Sequence, residues 1–297
     1  MKKYIFSNHY IYLSIFRIFI SFHIFKKYIL FFFNRDLIAD SLFLKDNHQD
    51  PLFEVWGVNQ NIILQNISVV ISIILFLCIL FAFGIFKYIT PLLLFIFVEI
   101  TQRSYEYILN GGDNFLKFVL FYLVFTDCYR YFSINKPTKE INRKSISYFV
   151  NQLSVFSLKI HLCLVYFISA IYKINAKVWF SGVATYYTLQ IERFQGTSYN
   201  KNLANNGIFS TISTYVTLFW ELVFPFLVWF RKTKYVVFAT GILIHTGIYI
   251  LMMIHDFEVL FIMCYGFFIS DEEWRKIYAY SKKTLFLLKK KFQKRYA

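Results

Sequence analysis

Two stretches of this chain, Ile67–Phe86 (ISVVISIILFLCILFAFGIF) and Tyr235–Ile254 (YVVFATGILIHTGIYILMMI), contain no Asp, Glu, Lys or Arg. Crossing a bilayer takes about 20 mostly apolar residues, and both stretches are long enough. A soluble domain has too little interior to hide many such runs. The chain as a whole is 58% hydrophobic and 22% aromatic, with a mean hydropathy of +0.49. Typical soluble chains are about 45–50% apolar. The expected solvent is therefore lipid, and the expected fold is all-α.

Apolar windows separated by polar breaks predict eight helices, over residues 4–25, 61–86, 88–109, 114–133, 148–173, 208–230, 235–254 and 256–270. They read as one domain, residues 1–272, followed by a basic tail over 273–297. The start MKKYIFSNHYIYLSIF lacks a small-residue cleavage site. It reads as a retained first span rather than a signal peptide.

The formal net charge is +15. The positive residues sit between apolar runs, which points to loops on the cytoplasmic side rather than to nucleic acid. Lys2, Lys3, Lys87, the 130–144 loop, the 231–234 loop and the tail hold about 20 of the 32 Lys and Arg residues. Eight spans with both termini cytoplasmic put all of them on one face of the cytoplasmic membrane. The opposite face receives the acidic-leaning 36–54 loop, the NGGDN turn (Asn110–Asn114) and residues 173–207. The basic tail adds contact with anionic membrane lipids. High Ile, Lys, Asn, Phe and Tyr content suggests an AT-rich bacterial genome.

Charges at membrane depth cost a few kcal/mol each, so they face a partner or water. Arg17, Glu99, Arg103, Lys117, Asp127, Lys159, Lys173, Glu221 and His245 are in this class. Glu99 with Arg103, and Asp113 with Lys117, are four apart and share a helix face. Arg17 and Glu221 lack a local counter-charge and need one from another helix. His245 reads as a hydrogen-bonded core histidine. Cys78, Cys128, Cys163 and Cys264 lie in apolar runs without a CxxC pair and read as buried thiols. No His, Cys or carboxylate cluster has metal-ligand spacing, so no metal is expected. The adjacent glycines of NGGDN suit a tight turn with positive φ.

The segment VYFISAIYKINAKVWFSG (Val165–Gly182) is the least ordinary. It starts as an apolar helix and then carries Lys173, with Trp179 six residues on. A lysine near a helix end can run its stem along lipid and leave its ammonium among headgroups, with tryptophan as an interfacial aromatic. In a water-poor pocket the same amine loses its proton more readily and becomes a base. The residues alone leave both readings open.

Tyr166, Phe167, Ser169, Ala170, Lys173, Ile174, Trp179 and Gly182 resemble the signature of the horizontally transferred transmembrane (HTTM) family, which includes the membrane domain of vitamin K-dependent γ-glutamyl carboxylase. The lysine-to-tryptophan spacing is one residue longer here. Further segments resemble the family in order: IFRIFISF with Arg17, the Leu109–Ile134 stretch with Asp127, FWELVFPFLVWF with Glu221 and Pro225, ILIHTG with His245, and FFISDEEWRKI. The resemblance implies a base at Lys173 that deprotonates a reduced quinone, a menaquinone or vitamin K hydroquinone. In the carboxylases the oxygenated quinol then removes a glutamyl proton, carbon dioxide adds, and the quinol ends as its epoxide. Trp179 and Gly182 are expected to shape the pocket mouth, with Glu221 and His245 behind Lys173, and Arg17, Asp127 and Arg130 as further binding candidates. Arg130 falls where the carboxylases place a histidine, and an arginine cannot accept a proton. Ile248 falls where they place an asparagine. Their extra-membrane domain, which grips the protein substrate, has no counterpart before the basic tail. Two function classes follow: a quinol-using membrane enzyme, or a non-catalytic membrane protein that handles, exports or gives immunity to a small secreted peptide.

Overall fold

The computed structural model describes residues 7–35, 51–57, 59–104, 110–138 and 141–296. Lys2, Lys3, most of the 36–54 loop and the end of the expected 88–109 helix lie outside these residues. The described residues form helices and connections, with no strand among them.

In chain order the α-helices are α1 (Tyr10–Phe33), α2 (Pro51–Trp56), α3 (Gln60–Gln65), α4 (Ile67–Phe83), α5 (Ile89–Ser104), α6 (Gly111–Val124) and α7 (Ile146–Asn175). Next come three short ones, α8 (Lys177–Phe180), α9 (Ala184–Thr188) and α10 (Asn200–Asn205), and then α11 (Gly207–Leu227) and α12 (Lys234–Met252). The last are α13 (His255–Cys264), extended by a 3-10 turn over Tyr265–Phe268, and α14 (Asp271–Tyr296). Three of them, α7, α11 and α12, are long and apolar enough to cross a membrane.

Each of the eight expected helices has a counterpart, but the ends differ. The α1 helix continues to Phe33, past the expected stop at Phe25, and so carries Lys27 into the bundle, with Lys26 on an exposed position beside it. The α6 helix stops at Val124, nine residues before the expected end. The chain beyond it folds back instead, with Ile134 N donating to Phe83 O at 2.9 Å and Ser133 Oγ to Gly84 O at 2.8 Å. The basic tail is itself the helix α14, and its first turn packs in the bundle. Glu273 accepts from Lys234 Nζ on both oxygens at 2.8 Å.

Contacts sort the helix ends into two sets. At one end the backbone N–H groups of Tyr10 and Ile11 donate to Asp271 at 3.1 and 2.9 Å. Asp127 N–H reaches Asn151 Oδ1 at 2.7 Å, and Lys87 pairs with Asp127 at 2.9 Å. The start of α1, the α4–α5 turn, the α6–α7 connection, the α11–α12 turn and the start of α14 therefore meet there. At the other end Lys26 pairs with Asp256 at 3.2 Å, Lys27 pairs with Asp113, and Gly196 N–H donates to Leu251 O at 2.9 Å. The helices α1, α4, α5, α6, α7, α11, α12 and α13 run between these two ends in alternating directions.

The core lies between α1 and α4 and continues under α7 and α13. Leu13, Phe16, Ile20 and Ile24 of α1 meet Ile71, Ile74 and Phe81 of α4, all essentially inaccessible. The outer surface is apolar too: Phe22, Phe219, Val236 and Leu243 are each more than half exposed. Four-fold spacing of large residues on both faces leaves no polar side for water.

The NGGDN segment is a helix start rather than a positive-φ turn. Asn110 caps α6, its side chain accepting from Gly112 N at 2.8 Å and Asp113 N at 3.3 Å, while Asp113 accepts from Asn110 N at 3.0 Å. This reciprocal arrangement satisfies donors that a helix start otherwise leaves open. Neither Gly111 nor Gly112 has positive φ. Gly112 is needed for closeness instead: a Cβ there meets the Phe257 backbone at 2.8 Å, whereas at Gly111 the nearest atom is the Phe257 ring tip at 3.3 Å. Gly112→Ala should therefore destabilise by about 1–3 kcal/mol through overpacking. Gly111→Ala should stay within about 1 kcal/mol of the parent. Thermal melting of the two variants in one detergent checks the difference.

Candidate functional site

The end of α7 builds the site. Ala176 takes an extended conformation (φ −92°, ψ 122°) and breaks the helix after Asn175. The four-residue α8 then returns Trp179 over Lys173, with Lys173 Nζ 4.6 Å from the ring centroid. Gly182 follows with φ +75°, and a Cβ there meets the Tyr215 ring at 2.9 Å. Tyr215 of α11 donates its hydroxyl to Phe180 O at 2.8 Å, which ties the α8 turn to α11.

Two turns along α11, Lys173 Nζ donates to Glu221 Oε1. Glu221 thus obtains the counter-charge from another helix that its isolation in sequence required. The pair is largely shielded, with 22% of the Lys173 side chain and 11% of the Glu221 side chain exposed. Glu221 Oε2 is buried and has no hydrogen-bond partner. An orphaned buried carboxylate oxygen is expensive to leave unmet. Pro225, inside the same helix, has no N–H to donate to the Glu221 carbonyl four residues earlier.

One turn pair below Lys173 on the same face of α7 sits Tyr166, about 10 Å away along the helix. Its hydroxyl meets His245 Nε2 at 2.8 Å and Tyr265 Oη at 2.9 Å. His245 Nδ1 meets the Glu258 carboxylate. With Glu258 accepting from Nδ1–H, Nε2 accepts a hydrogen bond from the Tyr166 O–H, so Tyr265 donates to Tyr166. All four residues are buried. His245 is thus a hydrogen-bonded core histidine, and it orients Tyr166 beneath the Lys173 pair. Trp220 closes the wall, donating to Val237 O at 2.9 Å and meeting the Tyr166 ring edge-on.

The other expected site residues lie elsewhere. Arg17 meets carbonyls rather than a carboxylate: Phe81 O at 2.7 Å, Ala82 O at 3.0 Å, and Phe132 O. The last carbonyls of a helix lack intrahelical donors and carry the negative end of its dipole, so the cation closes α4 from outside. Asp127 and Arg130 pair with each other at 2.9 Å and stand beside Asn151, 22 residues before Lys173 on α7. That is about 33 Å of helix. Asp113 pairs with Lys27 instead of Lys117, because α1 is longer than expected. Lys117 reaches Glu99 at 3.6 Å, beside the Arg103–Glu99 pair at 2.6 Å.

Glu258 and Tyr265 did not stand out in sequence. Glu258, three residues after His255, is buried. Its signal is an unpaired carboxylate in the first turn of a short apolar span. Among the described residues no group of three His, Cys, Asp or Glu side chains could hold a metal. The four cysteines are free and buried.

Family models, curated proteins and solved structures were all compared with the chain, and none matches.

The pair can exchange a proton with a ligand seated on Trp179, with Glu221 Oε2 as acceptor and Lys173 as counter-charge. Removing one partner should show how tightly they are coupled. Lys173→Met leaves a buried carboxylate uncompensated and should cost on the order of 3 kcal/mol. The double variant Lys173→Met/Glu221→Gln should recover at least half of that loss in a melting-based double-mutant cycle. Additive losses would mean that the two side chains do not interact.

Proposed function

We propose that the chain is an eight-span protein of the cytoplasmic membrane, of the HTTM type, with both termini cytoplasmic, and that the Lys173–Glu221 pair is the base of a quinol-using enzyme related to vitamin K-dependent carboxylase. The observation that carries the reading is the buried, unpartnered Glu221 Oε2, held by Lys173 under the Trp179 ring. Membrane topology draws support from the two ends of the bundle. One end gathers Lys87, Arg130, Lys234 and the start of α14, which are the loops that the positive-inside rule assigns to the cytoplasm. Lys173 is then at the extracytoplasmic end.

A reduced quinone fits this site as an acidic hydroxyl on a flat, apolar ring. When bound it supplies that acidic O–H and an oxygen-reactive ring. The chain's own residues do the rest. Glu221 Oε2 accepts the proton. The Lys173 ammonium stays within reach and balances negative charge. Because Glu221 already neutralises Lys173, the base is the Glu221 carboxylate of the pair rather than a free amine. Trp179 offers a face for the ring, and Gly182 lets the chain pass close to Tyr215. The Glu258–His245–Tyr166–Tyr265 chain fixes the floor. Glutamyl carboxylation is not part of the proposal. The position of the carboxylase histidine is Arg130, ion-paired at the far end of α7.

One observation favours the second reading, a non-catalytic protein that handles a small secreted peptide: Lys173 spends its charge on a neighbour, as the structural pair Lys234–Glu273 does. The two readings part on ligand and chemistry. Protein purified with its lipids should carry a menaquinone. Adding quinol and oxygen should change its absorption spectrum in the parent and in Lys177→Ala, and not in Lys173→Ala or Glu221→Gln. Equal behaviour of Lys173→Ala and Lys177→Ala would falsify the enzyme reading.

A further inference from the structure

Between α7 and α11 lies a layer of three short helices, α8, α9 and α10, at the same end of the bundle as Lys173. Its charges are unevenly placed. From Val178 to Ile191 there is no Asp, Glu, Lys or Arg, whereas Glu192, Arg193 and Lys201 follow. Within the charge-free part Phe180 and Tyr187 are each more than half exposed, and Val178 and Ile191 are exposed as well.

The polar groups of this part are already used. The backbone N–H groups of Trp179, Phe180, Ser181, Gly182 and Val183 all donate to carbonyls of residues 176–179. Those of Leu189, Gln190 and Ile191 donate to the carbonyls of Thr185, Tyr187 and Thr188. Ser181 Oγ donates to Lys177 O and Thr188 Oγ1 to Ala184 O, both at 2.8 Å. Thr185 N–H donates to Thr214 Oγ1 of α11 at 3.0 Å. Hydrocarbon imposes such closure, because a backbone group without a partner is costly there. A face that receives a peptide keeps donors and acceptors open for it, about one hydrogen bond per 100–200 Å² of contact.

The depth agrees. Lys159 Nζ lies 6.0 Å from the Phe268 ring centroid, and Lys234 donates to Phe268 O at 3.1 Å, so Lys159 marks the level at which α12 begins. Arg231 and Lys232, just before α12, are exposed. From Lys159 to Asn175, the end of α7, the helix rises about 24 Å. A hydrocarbon core about 30 Å thick that starts at the α11–α12 turn therefore ends just beyond α7, at α8 and α9.

We propose that α8 and α9 do not cross the bilayer but sit in its outer leaflet, with Val178, Phe180, Tyr187 and Ile191 among the lipid acyl chains and Glu192, Arg193 and Lys201 among the headgroups. The partner of this surface is the lipid itself. Aromatic side chains favour that border. Tied to α11 through Thr214 and Tyr215, the layer sets the depth of the Lys173–Glu221 pair. The inference rests on the membrane topology proposed above and is independent of the quinol chemistry.

The test uses the full chain in phospholipid vesicles, with a nitroxide on one introduced cysteine at a time. The variants are Phe180→Cys, Tyr187→Cys, Asn202→Cys in the polar part of the layer, and Leu243→Cys on the exposed face of α12, each checked against the melting temperature of the parent. The native cysteines are buried, so the unsubstituted chain is the blank. Dissolved oxygen concentrates in hydrocarbon, whereas a nickel chelate stays in water. Labels replacing Phe180, Tyr187 and Leu243 should be relaxed more by oxygen than by the chelate, and the label replacing Asn202 the other way round. If the Phe180 and Tyr187 labels side with the chelate while the Leu243 label sides with oxygen, the proposal is overturned and the spanning helices stand. Shielding of the Phe180 and Tyr187 labels from both reagents overturns it too, since a protein surface then covers them. If the Leu243 label also sides with the chelate, the topology fails and the lipid-seated layer with it.

Discussion

A charge enclosed by apolar helices must meet an opposite charge or a row of carbonyls, and that requirement arranges this bundle. Desolvation of an ion costs several kcal/mol, and only good geometry returns it. The chain uses three solutions. Arg17 lies across the last carbonyls of α4 and the 131–132 backbone, joining α1, α4 and the α6–α7 connection with one side chain. Lys27 with Asp113 and Lys234 with Glu273 join helices by closed pairs. Lys173 with Glu221 joins α7 to α11 but leaves one carboxylate oxygen over. The same physics that fixes the helices in the first two solutions leaves an unused acceptor in the third, and the candidate site is built on that remainder.

The surroundings keep the remainder in place. Tyr166 is held from both sides, by His245 and Tyr265, and Glu258 fixes the histidine from behind. Phe224, Trp220 and Phe261 pack around the Tyr166 ring. A rigid, fully hydrogen-bonded floor below a pair with a spare acceptor is the arrangement in which a proton has one place to go. Above the pair, the short α8 turn and the exposed Phe180 give the site an apolar approach.

The sequence was informative where one helix suffices. Apolar run length anticipated α1, α4, α5, α6, α7, α11, α12 and α13 but not the short helices between them, and charge isolation showed that Glu221 needed a partner from elsewhere. It was uninformative where two helices meet. Lys26 and Lys27 resembled the end of a span, yet α1 continues because Asp256 and Asp113 await them from other helices. The last charged segment resembled a tail, although Glu273 belongs to Lys234. Gly111 and Gly112 resembled a turn, whereas an asparagine cap and the nearness of Phe257 explain them. Arg17 required a counter-charge by the same reasoning as Glu221 and found carbonyls instead. In each case the deciding atom lies far off in the chain, and spacing along one helix carries no trace of it.

The most direct measurement concerns the proton itself. Reaction-induced infrared difference spectra should be recorded in lipid, before and after a reduced menaquinone analogue is added without oxygen. The expected result is a new protonated-carboxyl band that disappears in Glu221→Gln and survives in Glu258→Gln. A spectrum without that band, or one in which it persists in Glu221→Gln, would contradict the assignment of the spare oxygen as proton acceptor.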